Sequence, residues 1–174
     1  MTGIRWFSVL ALAGAAAAGD WGTPVEVRHD DDVAISYQAR VDGSFLVVRA
    51  KLAPGWHTFS IDNKRRADEK LAGKPALSVD RPTGISATAG LHIVGPWYQT
   101  PPKDFSRPEL RWFSWGFERD AVFAAKVTGT GGRLTIRGQA CTESICKNID
   151  VAVEAPAAGK RGESFSLKDL EPVR

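Results

Sequence analysis

The sequence predicts an all-β fold, a β-sandwich, and three observations carry that prediction. Short apolar runs alternate with period two from Val25 onward. Turn residues interrupt them roughly every 8–12 residues, giving about eight or nine candidate strands. No long stretch shows helical periodicity.

Taken in chain order, the first segment is not part of the fold. Met1 to Arg5 is a short basic start, Trp6 to Ala18 is apolar and rich in Ala and Leu, and Ala16-Ala17-Ala18 fits an A-x-A cleavage pattern. Residues 1–19 read as a secretory signal peptide, because the apolar run falls short of the roughly 20 residues that span a bilayer. An uncut N-terminal anchor is the competing reading. The mature chain is expected to start near Gly19 or Asp20, with residues 20–156 as the domain and residues 157–174 as a C-terminal tail. Export puts it where disulfides persist, with no stable insertion in the membrane once the signal is removed.

The domain begins with an alternating strand. Val33, Ile35, Tyr37, Ala39 and Val41 share one face, and Asp42-Gly43 signals a two-residue hairpin turn into Ser44 to Leu52. Pro54-Gly55 breaks the chain before a strand from Trp56 to Ile61. Asn63 to Ala72 is charged and fits one helical turn or a loop, with Lys64-Arg65-Arg66 on a solvated surface. Further strands are predicted at Ala76 to Val79, Ile85 to Ala89, Arg111 to Trp115, Ala121 to Thr128, Arg133 to Ala140 and Lys147 to Val153. Turns are expected at Asp80-Arg81-Pro82, Gly116, Gly129 to Gly132 and Ala155-Pro156.

Between two of these strands, Gly95 to Pro108 interleaves Pro96, Pro101, Pro102 and Pro108 with Trp97, Tyr98 and Phe105. That much proline predicts a long, stiff loop and no central strand. Its aromatic rings need something to pack on, which argues for order. The tail from Ala157 reads as a linker or frayed end, with Phe165, Leu167 and Leu170 available for a short docking turn.

Composition narrows the function. Lys and Arg total 23 against 20 Asp and Glu, a net charge of +3, and no basic stripe dominates any segment, so no nucleic-acid partner is indicated. Two Cys and three His rule against a zinc finger, an iron–sulfur site or a dense disulfide scaffold. His29 and His92 stand far from any acidic or Cys motif, so no metal site is assigned. Asp30-Asp31-Asp32 reads as a polar turn and supplies too few ligands for calcium. Gly129-Thr130-Gly131-Gly132 lacks the Lys-Ser/Thr of a phosphate loop. Trp112 and Trp115 are expected on opposite faces of their strand, one of them in the core.

The chemistry sits in Cys141-Thr142-Glu143-Ser144-Ile145-Cys146, a C-x4-C pair at the junction of the last two predicted strands. If those strands form a hairpin, the cysteines face each other with Cα atoms about 4.5 Å apart, within reach of a disulfide. So short a loop offers about 2 kcal/mol of chain-entropy stabilisation, little for a sandwich with this core. A short bridge at a hairpin tip suits opening and closing, whereas structural sandwich disulfides join the two sheets across a wide gap. Redox activity and a plain structural clasp both remain open on spacing alone, with metal binding a minor third. Glu143 would raise a neighbouring thiol pKa and Lys147 would favour a thiolate at Cys146, so Cys146 is expected to meet a partner.

Several motifs resemble, in order, the N-terminal periplasmic domain of the DsbD family of thiol:disulfide interchange proteins. They are Pro54-Gly55-Trp56-His57-Thr58-Phe59, Pro96-Trp97, Trp115-Gly116-Phe117, and Gln139-Ala140-Cys141 closing at Cys146. The resemblance covers roughly Val25 to Ala155. It implies an immunoglobulin-like sandwich whose hairpin disulfide, Cys141–Cys146, takes electrons from a membrane-embedded thiol donor and passes them to periplasmic thioredoxin-like proteins, without a cofactor. It also implies an aromatic cap in Gly95 to Pro108, with Trp97, Tyr98 and Phe105 as candidates, and a site lined by Trp56, His57 and Phe59. From the residues themselves, His57 reads first as a structural histidine and only second as a proton carrier. The family places a hydrophobic residue and proline after its second Cys, whereas Lys147-Asn148 stand here. Its long form continues into membrane helices and a thioredoxin domain. This chain stops at Arg174, so the electron donor is expected to be a separate polypeptide.

Two other functions compete. One is an immunoglobulin-like binding module with an inert disulfide, its loop aromatics contacting a partner. The other is an exported carbohydrate- or copper-handling protein.

Overall fold

The computed structural model describes residues 21–76, 80–157 and 165–174. The signal-peptide reading of residues 1–19 lies outside the described residues, as do positions 77–79 of the strand predicted from Ala76 and residues 158–164 of the tail. Among the described residues no helix is long and apolar enough to cross a membrane.

Period-two patterning becomes strand almost wherever the sequence carries it. The strands are β1 (Val25–His29), β2 (Asp32–Asp42), β3 (Phe45–Leu52), β4 (His57–Phe59), β5 (Gly84–Ala89), β6 (His92–Gln99), β7 (Lys103–Asp104), β8 (Trp115–Phe117), β9 (Ala121–Thr128), β10 (Gly132–Cys141), β11 (Cys146–Ala155) and β12 (Glu171–Pro172). One antiparallel sheet has the order β1-β2-β3-β9-β6-β12, and the other β11-β10-β4-β8-β7, with β5 also on β10. The two sheets enclose one core, and the chain is the immunoglobulin-like β-sandwich expected.

The core follows from the alternation. Ile35, Tyr37 and Ala39 of β2 and Leu46, Val48 and Ala50 of β3 point inward, against Leu134 and Ile136 of β10 and Ile149 and Val153 of β11. Phe117 of β8 and Phe123 of β9 meet edge to face at 5.5 Å and stitch the sheets together. Each fully buried side chain of this size contributes about 1.5–3 kcal/mol. The β2–β3 turn falls one residue later than expected. Asp42 pairs with Phe45, and the loop is Gly43-Ser44 with Gly43 at φ 60°, the conformation a II′ hairpin demands of its first loop residue.

Four expectations need correction. Pro96 does not keep its segment out of a sheet, since β6 runs through it and pairs with β9. The ladder shifts register between Ile93 and Trp97, and this bulge leaves proline's missing N–H without a ladder bond to make. Arg111 to Trp115 is not a strand. It is the return from a 3-10 turn at Pro108–Leu110, with Arg111 at φ 52°, and the strand proper is β8. Gly116 is not a turn residue but the middle of β8, where a Cβ would lie 2.0 Å from the Thr58 carbonyl oxygen, so only glycine lets β4 and β8 approach. Finally, the charged stretch forms a nine-residue helix, α1 (Asn63–Leu71), with Lys64–Asp68 and Arg65–Glu69 pairs one turn apart.

The described end of the tail docks on the first sheet. Phe165 packs its ring 5.6 Å from Phe45 and donates its N–H to Asp42, and a turn closes from Leu170 to Leu167. β12 then pairs with Tyr98 and Gln99. The buried Asp62 gathers this end. It accepts from Gln99 and from the Arg174 N–H and pairs with Arg66, which also binds Glu171.

Candidate functional site

The site is assembled at the open end of the β10–β11 hairpin. These strands pair without a bulge from Gly132↔Ala155 to a last pair, Cys141↔Cys146, which is joined in a disulfide with Cα atoms 4.0 Å apart. The four-residue loop between them is held by Thr142. Its N–H donates to the Ile145 carbonyl at 2.8 Å, and its hydroxyl accepts from the Ser144 and Ile145 N–H groups. The two sulfurs belong to residues of unlike exposure: Cys141 is 2% exposed, whereas Cys146 is open to solvent. An incoming thiolate therefore has access from the Cys146 side, with Cys141 placed to leave.

β4 lies on the other flank of β10. Ala140 pairs with Thr58 and Cys141 with His57, and the Thr58 hydroxyl donates to the Gln139 carbonyl at 2.8 Å. Residues directly opposite in such a ladder project to the same side. His57 and the disulfide accordingly line one cavity of about 810 Å³.

The opposite wall comes from the return between β7 and β8. Phe105 donates its N–H to the Ser114 carbonyl, and Arg107 and Trp112 exchange backbone hydrogen bonds. This hairpin lays the Phe105 ring 5.4 Å from the His57 ring, and the Phe59 ring meets His57 edge-on, also at 5.4 Å. The Arg107 guanidinium stacks over Trp112 at 5.3 Å, and the Trp112 indole N–H donates to Asp80 at 2.9 Å.

The charges around the cavity shape its titration. Burial lowers the pKa of His57 from its ordinary 6.5, against the smaller raising pull of Asp80 and Glu118, so the ring is neutral at pH 7. Glu118 accepts two 2.8 Å contacts from the Lys103 ammonium, whose hydrogen bond holds the carboxyl below its ordinary value.

The structure brings together most of the residues marked in the sequence. Cys141, Cys146, Trp56, His57, Phe59 and Phe105 all line the cavity. Trp56 is 8% exposed and also belongs to the core, with the His29 ring at 5.9 Å. Trp97 and Tyr98 lie elsewhere. They sit on β6 of the other sheet, opposite Ala125 and Ala124, with Trp97 packed on the core, and neither is in the cavity wall. Sequence reasoning missed Trp112, Asp80, Arg107, Glu118 and Arg119 in that wall. Trp112 carries a signal, an aromatic beside arginine just after the proline-rich stretch, although the sequence there reads as a strand. Asn63 was missed too. Fully buried, it donates to the Asp80 carbonyl at 3.0 Å and accepts the Trp115 N–H at 2.7 Å, fixing two parts of the wall from beneath.

No protein-family model matches the chain, and no curated protein matches it in sequence. Among solved structures it is similar to the crystal structure of the N-terminal domain of Neisseria meningitidis DsbD in the reduced form. The identity is 14% and the TM-score 0.47, over 81% of this chain and 91% of that one.

Proposed function

We propose that the domain is an exported thiol:disulfide interchange module working through Cys141 and Cys146. It takes electrons from a membrane-embedded thiol donor and passes them to periplasmic thioredoxin-like proteins. The observation that carries this reading is the asymmetric disulfide at the cavity, one half exposed and the other buried beside aromatic rings. Attack on the exposed Cys146 sulfur by a partner thiolate breaks the bond and forms a mixed disulfide. Cys141 leaves as the thiolate. A second partner thiol then resolves the mixed disulfide, leaving the domain as a dithiol and the partner oxidised. Reduction of a downstream disulfide runs the same steps in reverse.

Phe105 is the ring best placed to act as the cap. Its contact with His57 sets it one residue from Cys141 across the ladder, on a return tied to the sheet at β7 and β8. A docked partner would displace it, while stray thiols would meet it in place.

The test is the reduction potential of the pair, measured by equilibrating the protein against glutathione and thioredoxin buffers and counting free thiols. A value between about −270 and −180 mV is expected for an exchange protein. A value below about −300 mV would make the bond a structural clasp and transfer the lead to the binding-module reading.

A further inference from the structure

We infer that His57 is the proton acceptor for Cys141 when the reduced domain passes its electrons on. This step rests on the interchange reading of the site and assigns a role within it.

The geometry supplies the argument. Cys141 is the buried member of the pair, so in the dithiol state its thiol lies where apolar surroundings disfavour the thiolate. It is also the member that must resolve. Once the exposed Cys146 has attacked a partner disulfide, Cys141 has to become a thiolate to displace the partner from Cys146. Bulk water is a poor route to a group this enclosed. The residue directly across the β4–β10 ladder from Cys141 is His57, and both line the same cavity. Side chains so paired have Cβ atoms about 4.5–5.5 Å apart, within reach of an imidazole nitrogen and a sulfur. Phe59 and Phe105 both pack against the imidazole, and among the described residues neither ring nitrogen makes a hydrogen bond that would occupy it.

The electrostatic setting suits a base. The groups facing His57 are Asp80 and Glu118, which favour its protonated form, with Arg107, Arg119 and Glu143 also in the wall and Lys103 neutralising Glu118. Burial keeps the ring neutral at pH 7, ready to accept.

The step balances. The Cys141 S–H proton passes to His57, and the Cys141 thiolate attacks Cys146 Sγ in the mixed disulfide. The Cys141–Cys146 bond forms, the bond to the partner breaks, and the partner sulfur leaves as a thiolate that takes the proton back from the imidazolium. The domain dithiol is oxidised by two electrons and the partner disulfide reduced by two.

The experiment is stopped-flow reaction of the reduced full chain with one equivalent of 5,5′-dithiobis(2-nitrobenzoic acid). The first thionitrobenzoate released reports attack by Cys146, and the second reports resolution by Cys141. His57→Phe keeps a ring against Phe59 and Phe105 but cannot accept a proton. It should lower the ratio of second-phase to first-phase rate by about 100-fold, the lower end for general-base assistance. It should also change the pH profile: wild type is expected to hold its second-phase rate level until His57 itself protonates, below its ordinary 6.5, whereas the variant's rate should track the Cys141 thiolate and fall steadily from neutral pH downward. His57→Gln is read in the same way if the Phe variant does not fold. A ratio within about twofold of wild type, with the pH profile retained, overturns the role of His57 alone, since general-base loss cannot be that small. A wild-type bond that resists dithiothreitol instead overturns the interchange reading, and this step falls with it.

Discussion

Two stretches that each combine proline with aromatic rings, a few residues apart, end in different places. Pro96-Trp97-Tyr98 becomes strand β6 of the first sheet, while Phe105 to Trp112 becomes the return that walls the cavity on the second. The crossing between them is anchored at Thr100, whose N–H donates to the Val122 carbonyl and whose hydroxyl accepts the Val122 N–H, each at 2.9 Å. What separates the two is the demand placed on the backbone. Proline is tolerated in β6 because a bulge surrounds it, and beyond that bulge Trp97 and Tyr98 regain ladder bonds with β9. Past the crossing, Pro108 starts a 3-10 turn and Arg111 ends it in the left-handed region, so the chain doubles back and presents its rings sideways to β4. Proline count alone does not distinguish loop from strand; whether the missing N–H would have had a partner does.

Substitutions along the two stretches should separate stability from access to the disulfide. Trp97→Ala should cost the most, about 3 kcal/mol, because a large ring packed on the core is lost. Urea unfolding measures that cost, and the rate at which the folded protein is reduced by glutathione should stay unchanged. A faster reduction would place Trp97 in the gate after all. Asn63→Ala comes next, at about 2 kcal/mol, since it leaves the Asp80 carbonyl and the Trp115 N–H without their buried partner. Phe105→Ala reverses the pattern. The ring pair with His57 is worth only about 1 kcal/mol, so unfolding should shift little. If the same contact holds the cavity shut, its loss should speed reduction by glutathione about fivefold. An unchanged rate would remove Phe105 as the cap.

The legible part of the molecule was what depends on local patterning. The alternation of Ile35, Tyr37 and Ala39 gave both the strand and its buried face, and the C-x4-C spacing gave a paired hairpin end, because each is set by neighbours along the chain. The cavity wall was harder to read. Asp80 and Glu118 reach the site only because β4 sits between β10 and β8, and that order depends on Gly116 admitting the Thr58 carbonyl, a close approach no local pattern announces. Arg111 to Trp115 is rich in aromatics as strands are, yet its backbone bonds close a hairpin return. Lys64 and Arg65 of α1 do lie on a solvated face, but Arg66, expected there too, turns inward to Asp62 and Glu171, and the charge run hid Asn63, whose buried amide ties the helix to the site.

The smallest effect distinguishes the same two regions by acid. At the site, His57 titrates below its ordinary 6.5 when folded, mainly because burial disfavours the cation. The unfolded chain thus takes up this proton first as pH falls. Stability should decline from about pH 6.5 until the folded His57 also protonates, and then level off. At the β6–β12 end, burial would raise the Asp62 carboxyl. The hydrogen bonds from Gln99, Arg66 and the Arg174 N–H outweigh that and hold it below its ordinary 3.8. Its contribution is complete above pH 3.8 and is lost as pH falls through its lower folded value. Unfolding followed across this range should therefore show two separate declines. His57→Phe should erase the one that begins near neutrality and Asp62→Asn the one in strong acid. If a single substitution erased both, the two ends of the sandwich would be coupled through β9, and the independence of wall and tail docking would be lost.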